Sequence, residues 1–342
     1  DFDGNKIVSN LGNYYRPFYT NYSEELVTEI EKFSKEDICA GAQQHLEVCL
    51  TSLVKYLYGE FNLDGLPLCL AGGVFGNVKV NQKLKELEGV REIFVQPQMG
   101  DGGLAIGSAC ASLARRKHHV KFQPSMALGP TGGSDEEISE LKAEYQNLMK
   151  FEFFEDSDLI NKMVSELKKD KVVGLVRGRL EFGPRALCQR SILYKTSDAS
   201  CNDWLNKRMN RTEFMPFAPV MTSERAGDYL LNFSKTDLSF LFMTSTVEVS
   251  KEFGRLCPAV THVDNTARPQ VVFKNMDPWL WDLLNSWHEV SGEPALINTS
   301  FNKHEEPIVC TYREALSNLQ DYVIDVLVLD NWVVSKKDIK SA

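Results

Sequence analysis

KVVGLVRGRLEFGPRALCQRSIL, residues 171–193, decides how the larger part of the chain is read. KVVGLV is an apolar run of strand length, and SILY, entered at Arg190-Ser191, is a second one. Between them lies a loop with Arg177, Arg179, Glu181, Gly183-Pro184 and Arg185. Pro184 suits the first position of a short helix, whose free N–H groups and positive dipole end would face the same space as the arginines. A strand-exit loop carrying several guanidiniums is suited to phosphate or carboxylate oxygens, because the planar fork pairs with them bidentately. The plainer alternative is that these arginines only pair with Glu181 and surface acids.

Downstream, LSFLFMTSTVEV (238–249), PQVVF (269–273), PALIN (294–298) and DVLVLDNWVV (325–334) read as strands, with helices near 158–169, 278–290 and 312–321. This is an α/β domain. Upstream, Ser34 with Asp37 marks a helix start, and Ile38, Ala42, Leu46, Cys49, Leu50, Leu53, Val54 and Leu57 recur at helical spacing, predicting a core helix. LPLCLA (66–71) then reads as a buried strand, Gly72-Gly73 as a tight turn, VKVNQKLKEL as a helix, REIFVQP as a second strand and LAIGSACASLARR as a helix after MGDGG. Strands alternating with helices imply a largely parallel α/β arrangement here. RRKHHVKFQPSMALGPTGGSDEEI turns from basic to Pro- and Gly-rich to acidic, and reads as a linker opening into a helix. The expected division is therefore residues 1–118 and residues 119–342, the second unit including the linker.

A chain of 342 residues with 43% hydrophobic and 25% charged residues is an ordinary globular one, and no apolar run approaches the roughly 18 residues that cross a bilayer. Residues 1–10 lack a secretion signal, which gives the expectation of a cytoplasmic protein without membrane attachment. The 8 cysteines form no CxxC pair, so neither disulfides nor zinc are expected. A net charge of -9 argues against nucleic acid as a partner, and places any anion site in a local cluster. The chain begins at Asp1 in what reads like the middle of a hairpin, so it is expected to be part of a longer protein.

Smaller constellations carry further candidates. Arg268 stands immediately before the strand PQVVF, and Asn298, Thr299, Ser300 and Asn302 follow an apolar strand, where open α/β sheets bind ligands. AGGVFGN combines a strand end, Gly72-Gly73 and a helix start, which would let backbone approach a phosphate, although a bare turn explains it equally. Asp101 in MGDGG is either a helix N-cap or a metal ligand.

Taken in order, LAGGVFGNVKVN, QPQMGDGGLAIGSA, GRLEFGPRALCQRSIL, LNKRMNRTEFMPFAPVM, TARPQVV and NTSFNKHEEPIV resemble the NodU/CmcH-type O-carbamoyltransferase family, over nearly the whole chain. The resemblance implies the C-terminal part of an actin-like (ASKHA) ATPase domain over residues 1–118, followed by a YrdC-like domain. It implies an enzyme that makes carbamoyl-adenylate from carbamoyl phosphate and ATP with Mg²⁺, and then passes the carbamoyl group to a hydroxyl of a small-molecule acceptor at a metal, Fe²⁺ or another divalent ion. On this likeness Arg179, Arg185, Arg190, Ser191, Arg268, Ser300 and Asn302 match the family's catalytic positions. Asn298 and Thr299 join them as substrate contacts, Gly72, Gly73 and Asn77 match its nucleotide-facing loop, and Asp101 matches a metal carboxylate.

The chain also departs from the pattern. MNRTEFMPFAP lacks the usual Lys-x-Arg pair, so Lys207 or Arg211 would stand in for it, and Cys188 replaces the glycine usual after GPRAL. None of the 6 histidines has HxxxH spacing, so that pair is expected in a missing N-terminal half or a partner chain, with self-association as another way to cover the incomplete domain. Two other functions fit less of this series: a threonylcarbamoyl-adenylate synthase of tRNA modification, and a non-catalytic nucleotide- or RNA-binding module.

Overall fold

The computed structural model describes residues 2–7, 24–121, 124–211 and 215–337. Its first part holds α1 (Glu24–Ile30), α2 (Lys35–Phe61), β1 (Leu68–Leu70), α3 (Val78–Lys85), β2 (Ile93–Val95) and α4 (Leu104–Arg115), with short 3-10 turns at Gly73–Gly76 and Asp101–Gly103. Ser34 caps α2 by accepting from the Asp37 N–H, as the sequence predicts. β1 and β2 pair in parallel, Leu68 opposite Ile93, over a small core of Leu50, Val54, Leu70, Val80, Leu84, Ile93 and Val95.

The core-helix reading of α2 needs correction. Only Cys49, Leu50 and Val54 are buried, while Val48 and Phe61 are 55% and 62% exposed. α4 has no buried residue. Periodicity marks a face that can be buried, but among the described residues it is covered mainly by α3 and the small β1–β2 pair, with Phe2 against Tyr56.

The second part comprises α5 (Asp135–Glu144), β3 (Met149–Phe153), α6 (Asp156–Lys168), β4 (Val173–Val176), β5 (Arg190–Lys195), α7 (Cys201–Arg208), β6 (Ala218–Thr222), α8 (Ser223–Tyr229), β7 (Val247–Glu248), α9 (Lys251–Leu256), β8 (Thr266–Ala267), β9 (Gln270–Val272), α10 (Pro278–Ser291), β10 (Leu296–Ser300), α11 (Tyr312–Gln320), β11 (Val326–Leu329) and β12 (Trp332–Lys336). The main sheet is eight-stranded and mixed, in the order β3-β12-β11-β4-β5-β10-β6-β9. Only β4·β11 and β6·β9 are parallel pairs. Alternation along β4 sends Val173 and Leu175 toward α6 and α10, whose Leu159, Met163, Leu167, Leu280 and Leu283 close that face, and Val176 toward the opposite core with Phe301, Leu316 and Leu327.

Four expectations change. No helix forms at Pro184: residues 182–185 are a bend, because the backbone N–H groups beyond it are claimed by a side chain. LSFLFMTSTVEV is not a strand but a 3-10 turn, Leu238–Phe240, followed by buried irregular chain that reaches strand geometry only at Val247–Glu248. An apolar run says that a segment is buried, not how its backbone bonds. DVLVLDNWVV is a hairpin, β11 and β12 turning at Asp330-Asn331. Finally, the segment expected to be a linker is clamped to the arginine loop. Gly129 N–H donates to the Leu180 carbonyl, Leu180 N–H to Pro130, Phe182 N–H to Met126, and Thr131 bridges Arg179.

The two parts meet along α3. Asn81, fully buried, donates to the carbonyls of Phe75 and Thr244 at 2.7 Å each, Gln82 accepts from the Thr246 hydroxyl, and Lys85 pairs with Asp237.

Candidate functional site

Strand direction assembles the candidates. β4, β10 and β11 run one way and β5, β6, β9 and β12 the other, so the ends of the first set and the starts of the second share one sheet edge. That edge carries the 177–190 loop, Arg211 ahead of β6, Arg268 ahead of β9 and Ser300 at the end of β10.

The arginines there differ in what holds them. Arg190 is fully buried, and its guanidinium donates to the carbonyls of Pro130, Arg177, Gly178, Gln189 and Cys310. Burial lowers its pKa, against the charges of Glu181 and Asp330, neither of which forms an ion pair with it. It is a framework arginine, spent on backbone. Arg179 is exposed, and it clips the Leu128 and Gly129 carbonyls at 2.7 Å each. Arg177 pairs with Asp156 at 3.0 Å and lies over the Trp279 ring at 4.1 Å.

Arg185, Arg211 and Arg268 are another class. Elsewhere Arg177, Arg208, Arg225, Arg255 and Arg313 each face an acid. For Arg185 and Arg211 burial alone lowers the pKa, with no acidic partner opposing it. Arg268 is pushed down to about 9, first by burial and then by the positive charge of Arg185. Two part-buried guanidiniums that repel each other, with no carboxylate among the described residues between them, leave a positive charge unanswered. An arginine does not relieve this by losing its proton. A bound anion would relieve it.

Arg185 is also the link to the first part. It donates to the Gly76 carbonyl at 3.0 Å, while its Nε is buried without a hydrogen-bond partner. Gly183, at φ +154°, lies against the Pro97 carbonyl, which a Cβ would approach to 3.3 Å. The arginine loop thus touches both AGGVFGN and the segment leading to MGDGG. Arg211 reaches the Thr299 hydroxyl at 3.2 Å and the Ser300 hydroxyl at 3.5 Å, forming a second polar cluster at the same edge. Lys207 is exposed on α7 with no such contact.

Several candidates are engaged inside the fold. Ser191 accepts from the Cys188 N–H, and Asn298 donates to the Ala186 carbonyl and to Gln270 Oε1. Asn302 closes its own turn onto the Lys303 and Glu306 carbonyls. Asn77 caps α3 and exchanges hydrogen bonds with Gln43, and Gly72 sits at φ +117° ahead of the 3-10 turn that starts at Gly73. Cys188 occupies φ +71°, a conformation that favours glycine, and is buried. Glu181 does not pair with any guanidinium: its Oε1 accepts from the N–H groups of Leu187, Gln189 and Arg190. Burial drives its pKa up, against those bonds. Gln270, which donates to the Leu187 carbonyl, was legible only as the last letter of ARPQ.

Asp101 is exposed at the head of its 3-10 turn, on the rim of a mainly apolar cavity of about 530 Å³ bounded by Phe94, Met99, Ile106, Met126 and Phe242. Among the described residues no group of three or more His, Cys, Asp or Glu side chains gathers there or elsewhere. One carboxylate does not by itself hold a divalent ion, so Asp101 would need ligands from beyond the described residues to do so. No helix of the described residues is long and apolar enough to cross a membrane.

Comparison with known proteins agrees with this layout. The family model for the carbamoyltransferase C-terminus matches residues 164–336, and that for the carbamoyltransferase N-terminus matches residues 15–110. The nodulation protein NolNO of Sinorhizobium fredii is 32% identical over 97% of this chain and 49% of its own length. NolO of Bradyrhizobium diazoefficiens is 34% identical over 88% of this chain and 55% of its own. An uncharacterised protein of Methanocaldococcus jannaschii is 32% identical over 91% of this chain and 59% of its own. The chain therefore spans about half the length of the curated relatives it matches. A crystal structure of full-length HypF in a phosphate- and nucleotide-bound form covers 53% of this chain and 25% of its own, at 21% identity and a TM-score of 0.36, too slight a likeness to argue from.

Proposed function

The chain belongs to the carbamoyltransferase family, and on that footing we propose that its arginine edge forms carbamoyl-adenylate from carbamoyl phosphate and ATP, for transfer to a hydroxyl of a small-molecule acceptor. The observation that carries this reading is the Arg185–Arg268 pair, charged, part-buried and without an acid. Both substrates are polyanions, so bringing them into contact costs repulsion that preorganised guanidiniums offset, and the same groups neutralise the departing pyrophosphate. We assign Arg211, Thr299 and Ser300 to the same substrate, and Arg190, Ser191 and Asn298 to the frame behind it. Mg²⁺ would enter with ATP, bound to its phosphates. Residues 1–118 we read as the C-terminal part of an actin-like domain and residues 119–342 as a YrdC-like one, with the acceptor bound between them. The exposed faces of α2 and α4 are where we place the remainder of that first domain, or a partner supplying it.

The test is pyrophosphate release by the purified protein. Release should require carbamoyl phosphate and ATP together, and Arg185→Ala should abolish it rather than raise the substrate requirement. Release driven by threonine and bicarbonate would transfer the chain to threonylcarbamoyl-adenylate chemistry, and no release with either pair would sink the reading.

A further inference from the structure

Arg185 sits on a loop with no regular secondary structure from 181 to 189, so something must hold that loop in one shape. Six backbone groups of its closing half are met by side chains. Glu181 Oε1 takes the N–H groups of Leu187, Gln189 and Arg190 at 2.6, 2.8 and 3.2 Å. Ser191 takes the Cys188 N–H at 3.0 Å, Asn298 caps the Ala186 carbonyl at 3.0 Å and Gln270 the Leu187 carbonyl at 3.1 Å. Glu181 is the hub, because a single oxygen at the start of the loop gathers three donors at its end. The bend at Phe182 to Arg185 is thereby closed at its base, with Arg185 on it against Gly76. The carboxylate is only 6% exposed, and its other oxygen, Oε2, has no partner. Among the described residues no ion pair reaches Glu181, although the nearby Arg190 charge favours the carboxylate, so surface pairing does not explain so costly a burial.

We propose that Glu181 is a positioning residue for Arg185: it touches no substrate, and its Oε1 casts the 182–189 loop into the shape that aims the guanidinium at a multiply charged phosphate ligand. The inference rests on the anion-binding role given to Arg185 above. It goes further by making a buried acid, rather than another base, the group on which anion affinity depends. Gln at 181 would keep a carbonyl oxygen in the place of Oε1, whereas Ala would leave three buried N–H groups unmet.

Two measurements on the intact chain separate the possibilities. The first is hydrogen exchange of the peptide spanning 182–190, without ligand. In Glu181→Ala its amides should exchange at least about tenfold faster while the β4 and β10 peptides keep their wild-type rates, and Glu181→Gln should restore protection. Unchanged protection in the Ala variant overturns the proposal. So does a loss spread over the whole sheet, which would make Glu181 a general structural residue. The second is calorimetric titration with inorganic pyrophosphate. Arg185→Ala and Glu181→Ala should each weaken binding by about tenfold or more, Glu181→Gln by no more than about threefold, and the double variant should be no weaker than Arg185→Ala alone. Independent, multiplying losses in the double variant would refute action through Arg185. A wild-type protein that fails to bind pyrophosphate would instead defeat the anion-site reading, leaving hydrogen exchange to decide on Glu181 and the loop.

Discussion

Arg268→Met should make the protein more stable and less able to bind polyanions. Burial and the neighbouring Arg185 charge hold the Arg268 pKa at about 9 against 12.5 for a free guanidinium. At about 1.4 kcal/mol per decade, that is a penalty of up to about 5 kcal/mol on the charged form. Solvent access to a part-buried side chain screens much of it, and we take about 1–3 kcal/mol as the cost that remains. Methionine keeps most of the apolar stem without the charge. The melting temperature should therefore rise by about 2–12 °C, at about 2–4 °C per kcal/mol for domains of this size. Pyrophosphate affinity, measured by calorimetry on the same sample, should fall by about tenfold or more. The two readouts must move in opposite directions. A variant that melts lower than the wild type would mean that Arg268 has a structural partner, and one that melts higher yet binds pyrophosphate undiminished would mean that the unanswered charge is not a ligand site.

Arg190 should behave in the opposite way. Arg190→Met removes the guanidinium that bonds the carbonyls of Pro130, Arg177, Gly178, Gln189 and Cys310, of which Pro130 and Gln189 keep the Leu180 and Arg177 N–H donors, and should cost about 2–4 kcal/mol in urea unfolding, with Arg190→Lys recovering part of it; an unchanged midpoint would contradict the framework assignment. The tie between the two parts should weaken in acid. Burial raises the Asp264 pKa, but Lys79 and Thr266 outweigh it and hold the group at about 2. Its contribution is thus present above the ordinary value of 3.8 and is lost as pH falls through about 2, by less than about 1 kcal/mol for so exposed a pair. Stability measured from pH 5 to pH 2 should show this loss in the wild type and not in Lys79→Met, and identical profiles would refute it.

Much of the architecture was readable before any coordinates. α2, α6, α10 and α11 are legible as helices because a helix closes its own hydrogen bonds within one segment, although how much of the α2 face is buried is not. β4, β5, β9 and β10 follow from short apolar runs bounded by polar turns. Less visible were β3 and β6, and the run at 238–249 misled, because a strand exists only through a partner that lies elsewhere in the chain.

The site divides in the same way. The resemblance of its motifs to one family's series marked the loop after β4, Arg268 and the Asn298–Asn302 turn, and the sequence by itself placed a cluster of positive charge in an acidic chain. Which arginine is free to meet a ligand was not local information. Arg179, Arg185 and Arg190 are equivalent letters, yet Arg179 clips the 128–129 backbone, Arg190 is consumed by five backbone carbonyls and Arg185 adds its charge to that of Arg268. Charge is a property of residue type, but its compensation depends on every group that the fold brings within reach, and only the packed sheet edge decided that.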